Sequence, residues 1–439
     1  MMTSLLKYRG VIEGFYGPMW SHEERLHLLR HLRGWSMNLY IYSPKDDPFH
    51  RLLWDSPYPP AEMRRFAELA GEARAQGVQF AYALSPGNTF EPGNPAHRQA
   101  VIDKLRPFID LGCTFFPIFY DDLLKPFDPA GAEGIRQAES QAAVMNELAD
   151  GIAAHCADAR FLFCPTHYAT TDKHPYLCRL HERLDPRIET VVTGVDPEHN
   201  GVIAHTLSDA GLRRYAEHFG RRPFVWDNFN VHDVAVNVLH WTPYRGRGVH
   251  LDELCSGLVL NPQNVYLFNL PIFGCLGDFL ADPRAYNPHA SMRRHLVELM
   301  GEEGAPLGLV LSQWFTAEWA EYRSAEENLP PLNGTLTPAE RDRLRETLRG
   351  IFTPLTDFED RFRRTRMDPQ AAARLLPFAT VLQRYAIIMA NLCSGTATPA
   401  SAAVDLEALE RFLYRLPASL VEYTKKLVVS EKDDKAVGA

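Results

Sequence analysis

Two adjacent carboxylic acids, Asp121 and Asp122, close the apolar run Phe115-Phe116-Pro117-Ile118-Phe119-Tyr120 and stand where a buried strand would reach solvent. Paired carboxyls are the usual equipment for cleaving a glycosidic bond, one as acid and the other as base or nucleophile. Neighbours in sequence cannot easily flank such a bond from opposite faces, because successive strand side chains diverge. Adjacent acids suit another division of labour, in which one protonates the leaving oxygen and the other orients a nucleophile carried by the substrate itself. A helix N-cap or a surface turn is the plainer reading of the same pair. Lys45, in Ser43-Pro44-Lys45-Asp46-Asp47-Pro48, reads on its own as a solvated charge between acids. Asn228, after Trp226-Asp227, and Asn261 are either turn residues or amides suited to hydroxyl and acetamide recognition. Tyr16 and Tyr168 are either rim packing or polar contacts.

The elements that would position these residues are short apolar runs separated by helical stretches. Eight runs read as strands: Tyr8–Ile12, Asn38–Tyr42, Val78–Leu84, Thr114–Tyr120, Arg160–Phe163, Ile188–Val192, Pro223–Trp226 and Gly257–Leu260. Ser21 with Glu24 forms a capping box ahead of a helix. Repeated strand–helix units over about 290 residues predict a (β/α)8 barrel of TIM type. In such a barrel the chemistry sits at the C-terminal ends of the strands, and every candidate strand here runs into a polar or glycine-containing segment. After Pro288 strand signals stop, and Met292–Met300, Leu309–Tyr322, Pro338–Phe352, Pro369–Leu392 and Leu406–Leu427 carry apolar residues at helical spacing. Residues 1–288 are therefore expected to form the barrel and 289–430 an all-α helical domain, with the polar tail 431–439 disordered.

Composition narrows the function classes. A net charge of -9 argues against a nucleic-acid partner. No apolar run approaches the roughly 18 residues of a membrane span, and MMTSLLKYRG lacks the pattern of a secretory leader. Seven scattered cysteines with no C-x-x-C pair suggest a reducing, cytoplasmic setting. The 17 histidines form no H-x-H or H-E-x-x-H motif, so neither a metal nor another cofactor is expected.

The blocks GVIEGFYG (10–17), YSPKDDPFHR (42–51), ALSPG (83–87), the acid pair, FCPTHY (163–168), TG (193–194), VWDNFNVHD (225–233), PYRGR (243–247) and LNP (260–262) together resemble glycoside hydrolase family 84. This is the family of protein O-GlcNAcase and bacterial β-N-acetylglucosaminidases. The resemblance implies that Asp121 holds and polarises the substrate acetamide N–H and that Asp122 is the general acid/base. It implies that Gly14, Lys45, Asn228, Asp233 and Asn261 bind the sugar and its N-acetyl group. Tyr16, Tyr168 and Trp226 would line the acetamide pocket, with Tyr168 also bonding the developing oxazoline. His167 and Val192 depart from the family pattern, which commonly has Glu and Trp there.

The function so implied is retaining exo-hydrolysis of terminal β-linked N-acetylglucosamine by acetamide participation. The substrate would be a GlcNAc-bearing protein, peptide or saccharide. An endo-acting, hyaluronidase-like hydrolase and a non-catalytic GlcNAc-binding protein are the rival readings. The helical domain is assigned either to shaping the groove or to forming a homodimer.

Overall fold

The computed structural model describes residues 6–123, 128–170, 172–196, 201–204, 206–233, 237–315, 328–332 and 336–437. Eight parallel strands build the barrel: β1 (Tyr8–Glu13), β2 (Leu39–Tyr42), β3 (Gln79–Tyr82), β4 (Phe115–Phe119), β5 (Arg160–Cys164), β6 (Ile188–Val192), β7 (Phe224–Asp227) and β8 (Gly257–Leu260). Their order is β3-β2-β1-β8-β7-β6-β5-β4. The ring is completed just beyond β3, where Leu84 pairs with Ile118. There Leu84 N–H donates to Pro117 O at 3.0 Å and Phe119 N–H to Leu84 O at 2.9 Å. The barrel helices include α1 (His22–Leu32), α2 (Pro60–Ala75), α3 (Pro95–Asp110), α4 (Ala132–Ala153), α5 (Pro175–Arg183), α6 (Asp209–Phe219), α7 (Leu251–Leu254) and α8 (Tyr266–Ala281).

Strand residues are buried on both faces, which is why the sequence shows continuous apolar runs rather than alternation. Alternate residues point inward and fill the barrel: Tyr8 and Ile12, Leu39 and Ile41, Ala81 and Ala83, Phe115 and Phe119, Leu162 and Cys164, Phe224 and Trp226. Ala81 in β3 and Ala83 just past it make room for the phenylalanines of β4, so bulk is shared around the ring. Outward residues pack on the helices, as where Tyr82 stacks on Phe108 of α3 at 3.8 Å between ring centres. The capping box at α1 forms, with Glu24 N–H donating to Ser21 Oγ at 3.2 Å and Ser21 N–H to Glu24 Oε2 at 2.7 Å.

Two strands run one charged residue further than their apolar pattern indicates. Glu13 ends β1 fully buried, because Arg25 of α1 donates to both its carboxylate oxygens at 2.8 and 2.7 Å. Tyr40 adds a hydroxyl at 2.5 Å and Trp20 its N–H at 3.2 Å. Asp227 ends β7 in the same manner, held by Arg247 at 2.8 and 2.5 Å and by the Tyr244 hydroxyl at 2.8 Å. Each pair clamps the loop that follows its strand, and those loops carry the site.

The chain divides into two compact units. The first comprises Met1–Val234, Tyr244–Tyr266 and Leu276–Tyr286, and the second Ala235–Pro243, Leu267–Cys275 and Asn287–Ala439. Two segments ahead of residue 288 thus group with the helical unit. That unit contains α9 (Pro288–Trp314), α10 (Pro338–Phe352), α11 (Phe358–Arg364), α12 (Pro369–Ser394), α13 (Pro399–Glu410) and α14 (Ala418–Val437). By length and composition α12 could cross a membrane, but Leu375, Phe378, Leu382, Tyr385 and Met389 along it are buried in the unit's own core.

Three expectations about helices are corrected. Two helices are present as expected, the first ending at Met300 before Gly301, whose φ of 78° only glycine adopts freely, but the second begins several residues ahead of the predicted Leu309. Of the predicted Leu309–Tyr322, residues 316–322 lie outside the described ones. The single helix expected over Leu406–Leu427 is two, α13 ending at Glu410 and α14 beginning at Ala418 just after Pro417, a residue suited to a helix start. Finally, α14 continues to Val437, through most of the segment whose composition predicts disorder. Leu420, Tyr423 and Leu427 anchor its start, and extending a formed helix through Glu, Lys and Ala is cheap once it is nucleated.

The clamp at Glu13 yields a stability prediction. Arg25→Met leaves a buried carboxylate without its cation and should cost about 3–5 kcal/mol. The exposed pair Arg65–Glu62 at 3.1 Å is the control, and Arg65→Met should scarcely move the urea midpoint. Equal midpoints for the two variants would show that the Glu13 pair does not hold the β1 end.

Candidate active site

The strand ends converge on a cavity lined by Gly14, Tyr16, Lys45, Asp121, Asp122, Cys164, Tyr168, Thr193, Val202, Ile203, Trp226, Asn228, Val231, Asp233 and Asn261. All ten residues singled out from sequence are in that lining. It therefore draws on the loops after β1, β2, β4, β5, β6, β7 and β8.

The two acids occupy different environments. Asp121 is buried, and its Oδ2 pairs with Lys45 Nζ, itself buried after β2. The Lys45 ammonium sits 5.4 Å from the Trp226 ring and 5.8 Å from Phe119, faces that favour a cation. Asp121 Oδ1 is buried and, among the described residues, has no hydrogen-bond partner. Asp122 is exposed, and its φ of 52° lies in the left-handed region that non-glycine residues avoid. This turn breaks the strand alternation, so the second carboxyl comes to the same cavity as the first. Tyr16 OH donates to its Oδ2 at 2.8 Å and Tyr168 OH to its Oδ1 at 3.0 Å. Burial, and then the charge of Asp122, push both phenols well above their ordinary range, so both remain hydrogen-bond donors at neutral pH.

The opposite wall is a network of amides. Asn261 Oδ1 accepts from Gly14 N–H at 3.1 Å, and its Nδ2 donates to Asn228 Oδ1 at 2.8 Å. The same Asn228 oxygen accepts from Trp226 Nε1 at 2.9 Å, and Asn228 Nδ2 donates to Val202 O at 2.7 Å. Gly14 is required by close approach: a Cβ there would fall 2.3 Å from the Trp226 indole. Asp233 Oδ1 accepts from Tyr16 N–H at 2.9 Å. Burial raises the Asp233 carboxyl, against the lowering pull of that N–H and of Lys45. Arg247, the partner of Asp227, also donates to Ala204 O at 3.4 Å and so ties β7 to the segment bearing Val202 and Ile203.

Sequence reasoning missed Cys164, Thr193, Val202, Ile203 and Val231 as lining residues. Cys164 and Thr193 were findable, since each stands where a predicted strand ends. The aliphatic residues carry no chemical signal, and only the fold of their loops brings them in. Neither His167 nor Val192 lines the cavity. Among the described residues, no group of three or more His, Cys, Asp or Glu side chains is arranged to hold a metal ion.

Comparison with known proteins agrees with this geometry. The protein O-GlcNAcases of Rattus norvegicus and Mus musculus are each 33% identical to this chain over 261 residues, which is 58% of this chain. The chain matches only 28% of the length of those relatives. Among solved structures, a mutant of the Thermobaculum terrenum O-GlcNAc hydrolase superposes with a TM-score of 0.80 at 25% identity, covering 96% of this chain and 94% of that one. The structure of CpGH84B gives 0.78 at 22% identity, over 96% of this chain and 77% of that one, which supports the fold alone. The family model described as beta-N-acetylglucosaminidase matches residues 9–309. With the barrel, the acid pair and a match over most of its length, the chain belongs to the β-N-acetylglucosaminidase family of glycoside hydrolases.

Proposed function

We propose that this protein is a retaining exo-β-N-acetylglucosaminidase in which the substrate's own acetamide is the nucleophile. One observation carries the reading: among the described residues no donor reaches one buried carboxylate oxygen of Asp121, while Lys45 holds the other. A buried anion oxygen is costly to leave unpaired, so the site is built to receive an N–H. The N–H of a 2-acetamido group is such a donor. Holding it would aim the acetamide carbonyl oxygen at the anomeric carbon of the same sugar.

The reaction then runs in two balanced steps. The carbonyl oxygen bonds to the anomeric carbon as the bond to the leaving oxygen breaks, and Asp122 gives its proton to that oxygen. The product is an oxazoline whose nitrogen charge Asp121 stabilises. Water next adds to the anomeric carbon, Asp122 takes its proton, and the ring bond opens to restore the acetamide. Two inversions give retention. Such substrate assistance is a recognised exception to the two-carboxylate scheme. Tyr16 and Tyr168 hold the Asp122 carboxyl between the steps. Asn228, Asn261 and Asp233 supply donors and acceptors for the sugar hydroxyls and the N-acetyl oxygen.

Relatives named protein O-GlcNAcase support GlcNAc on protein Ser or Thr as a substrate class. The cysteines are all free thiols, in keeping with a reducing, cytoplasmic compartment.

Two experiments test this reading. Across aryl β-GlcNAc glycosides of graded leaving-group pKa, Asp122→Asn should lose roughly 10²–10⁴-fold in kcat/KM on poor leaving groups and far less on activated ones. Asp121→Asn should lose rate on all of them, with a shallower slope. Interchanged slopes would reverse the two roles, and unchanged rates in both variants would remove the site. Separately, proton NMR of early turnover should show the β-anomer of N-acetylglucosamine released from chain ends, while hyaluronan keeps its chain length. Internal cleavage of hyaluronan would replace exo with endo action.

A further inference from the structure

Arg51 has been given no chemical task, yet it reaches three parts of the site. Its Nη1 donates to the Tyr16 hydroxyl oxygen at 2.8 Å. Its Nη2 donates to the backbone carbonyls of Asp122 at 2.8 Å and Asp121 at 3.3 Å. Tyr16 OH in turn donates to Asp122 Oδ2 at 2.8 Å. These contacts close a ring that begins at the carbonyl of Asp122, passes through the guanidinium and the phenol, and returns to the carboxyl of the same residue.

The ring answers a specific need. A left-handed, non-glycine turn persists only when its surroundings over-determine it. Asp122 must keep that turn, because it is what brings the second acid into the cavity beside the first. An arginine suits the position, since its planar fork donates in two directions at once. A hydroxyl that accepts from a cation is also a stronger donor, so the guanidinium strengthens the hold of Tyr16 on the carboxylate. The guanidinium carbon lies 5.9 Å from the centre of the Tyr16 ring, close enough to limit the motion of the phenol as well.

We propose that Arg51 is the positioning residue of the acid, fixing Asp122 from its backbone side directly and from its carboxyl side through Tyr16. The assignment rests on the reading above, in which Asp122 delivers the proton to the leaving oxygen. A merely structural arginine and a positioning arginine differ in what their loss does. The former would lower stability, or slow every substrate alike. The latter leaves ring closure intact and misaims the proton, so damage should grow with the leaving group's need for that proton.

The test uses the full chain and the aryl β-GlcNAc series, with Arg51→Met, Tyr16→Phe and the double variant, and with Asp122→Asn as reference. Arg51→Met should lose on the order of 10- to 100-fold in kcat on poor leaving groups. On the most activated glycosides it should stay within about threefold of wild type, with KM little changed. The double variant should lose clearly less than the product of the two single losses, because Arg51 acts partly through the phenol. A loss equal across all leaving groups, unchanged rates, or full additivity with Tyr16→Phe would overturn the assignment. Should Arg51→Met fail to fold, Arg51→Lys carries the same comparison, since it keeps the charge without the fork. A flat leaving-group dependence for Asp122→Asn itself would instead bring down the functional reading, and this assignment with it.

Discussion

The buried pair between Lys45 and Asp121 is the constraint on which the site depends. Taking a carboxylate out of water costs several kcal/mol, and one cation at one oxygen repays only part of that. On the proposed reading, the remaining oxygen is the acceptor for the substrate's acetamide N–H. The rest of the wall serves to make this arrangement tolerable. Phe119 and Trp226 give the ammonium apolar faces, and Gly14 lets the indole approach. The Lys45 N–H, donating to Phe15 O at 3.2 Å, fastens the β2 loop to the β1 loop. A site organised around an unsatisfied anion discriminates by chemistry, since a sugar bearing a hydroxyl or a charged amine at C2 lacks a neutral N–H whose carbonyl can also attack.

The second acid is handled in the opposite way. It is exposed and reached through a strained turn, and two phenols hold it that stay protonated throughout the physiological range. The barrel separates two adjacent residues by environment rather than by distance. One is buried against a lysine, and the other faces solvent between two phenols. Behind both lie the clamps at Glu13 and Asp227, which set the ends of β1 and β7 and so the height at which Gly14, Tyr16, Trp226 and Asn228 meet the cavity.

Much of this was legible in the sequence, for definite reasons. Strands buried on both faces leave unbroken apolar runs, so all eight could be located, and polar residues after such runs had one face of a barrel to occupy. Hence Lys45, Asn228 and Asn261, each ordinary alone, became informative together. What stayed hidden depends on three-dimensional return. Glu13 and Asp227 looked like the first loop residues, because their partners Arg25, Tyr244 and Arg247 lie 12 to 20 positions away. Val202 and Ile203 carry no chemical mark, and Arg51 read as the tail of a motif until its fork was seen on Asp122. In the helical unit, amphipathic spacing shows that a helix exists but not where it breaks. It ran Leu406 into Leu427 across the break after Glu410, and it placed the start of the helix that follows Gly301 several residues late.

The central claim is that the acetamide oxygen, and no group of the protein, attacks the anomeric carbon. Successive fluorination of the N-acetyl methyl group weakens that oxygen as a nucleophile while leaving the leaving group untouched. The deciding measurement is kcat/KM for the acetyl, monofluoro-, difluoro- and trifluoroacetyl glycosides of one aryl leaving group. The account predicts a steep, monotonic fall across the series. A rate indifferent to fluorination, or a sugar trapped covalently on Asp121 or Asp122, would contradict it.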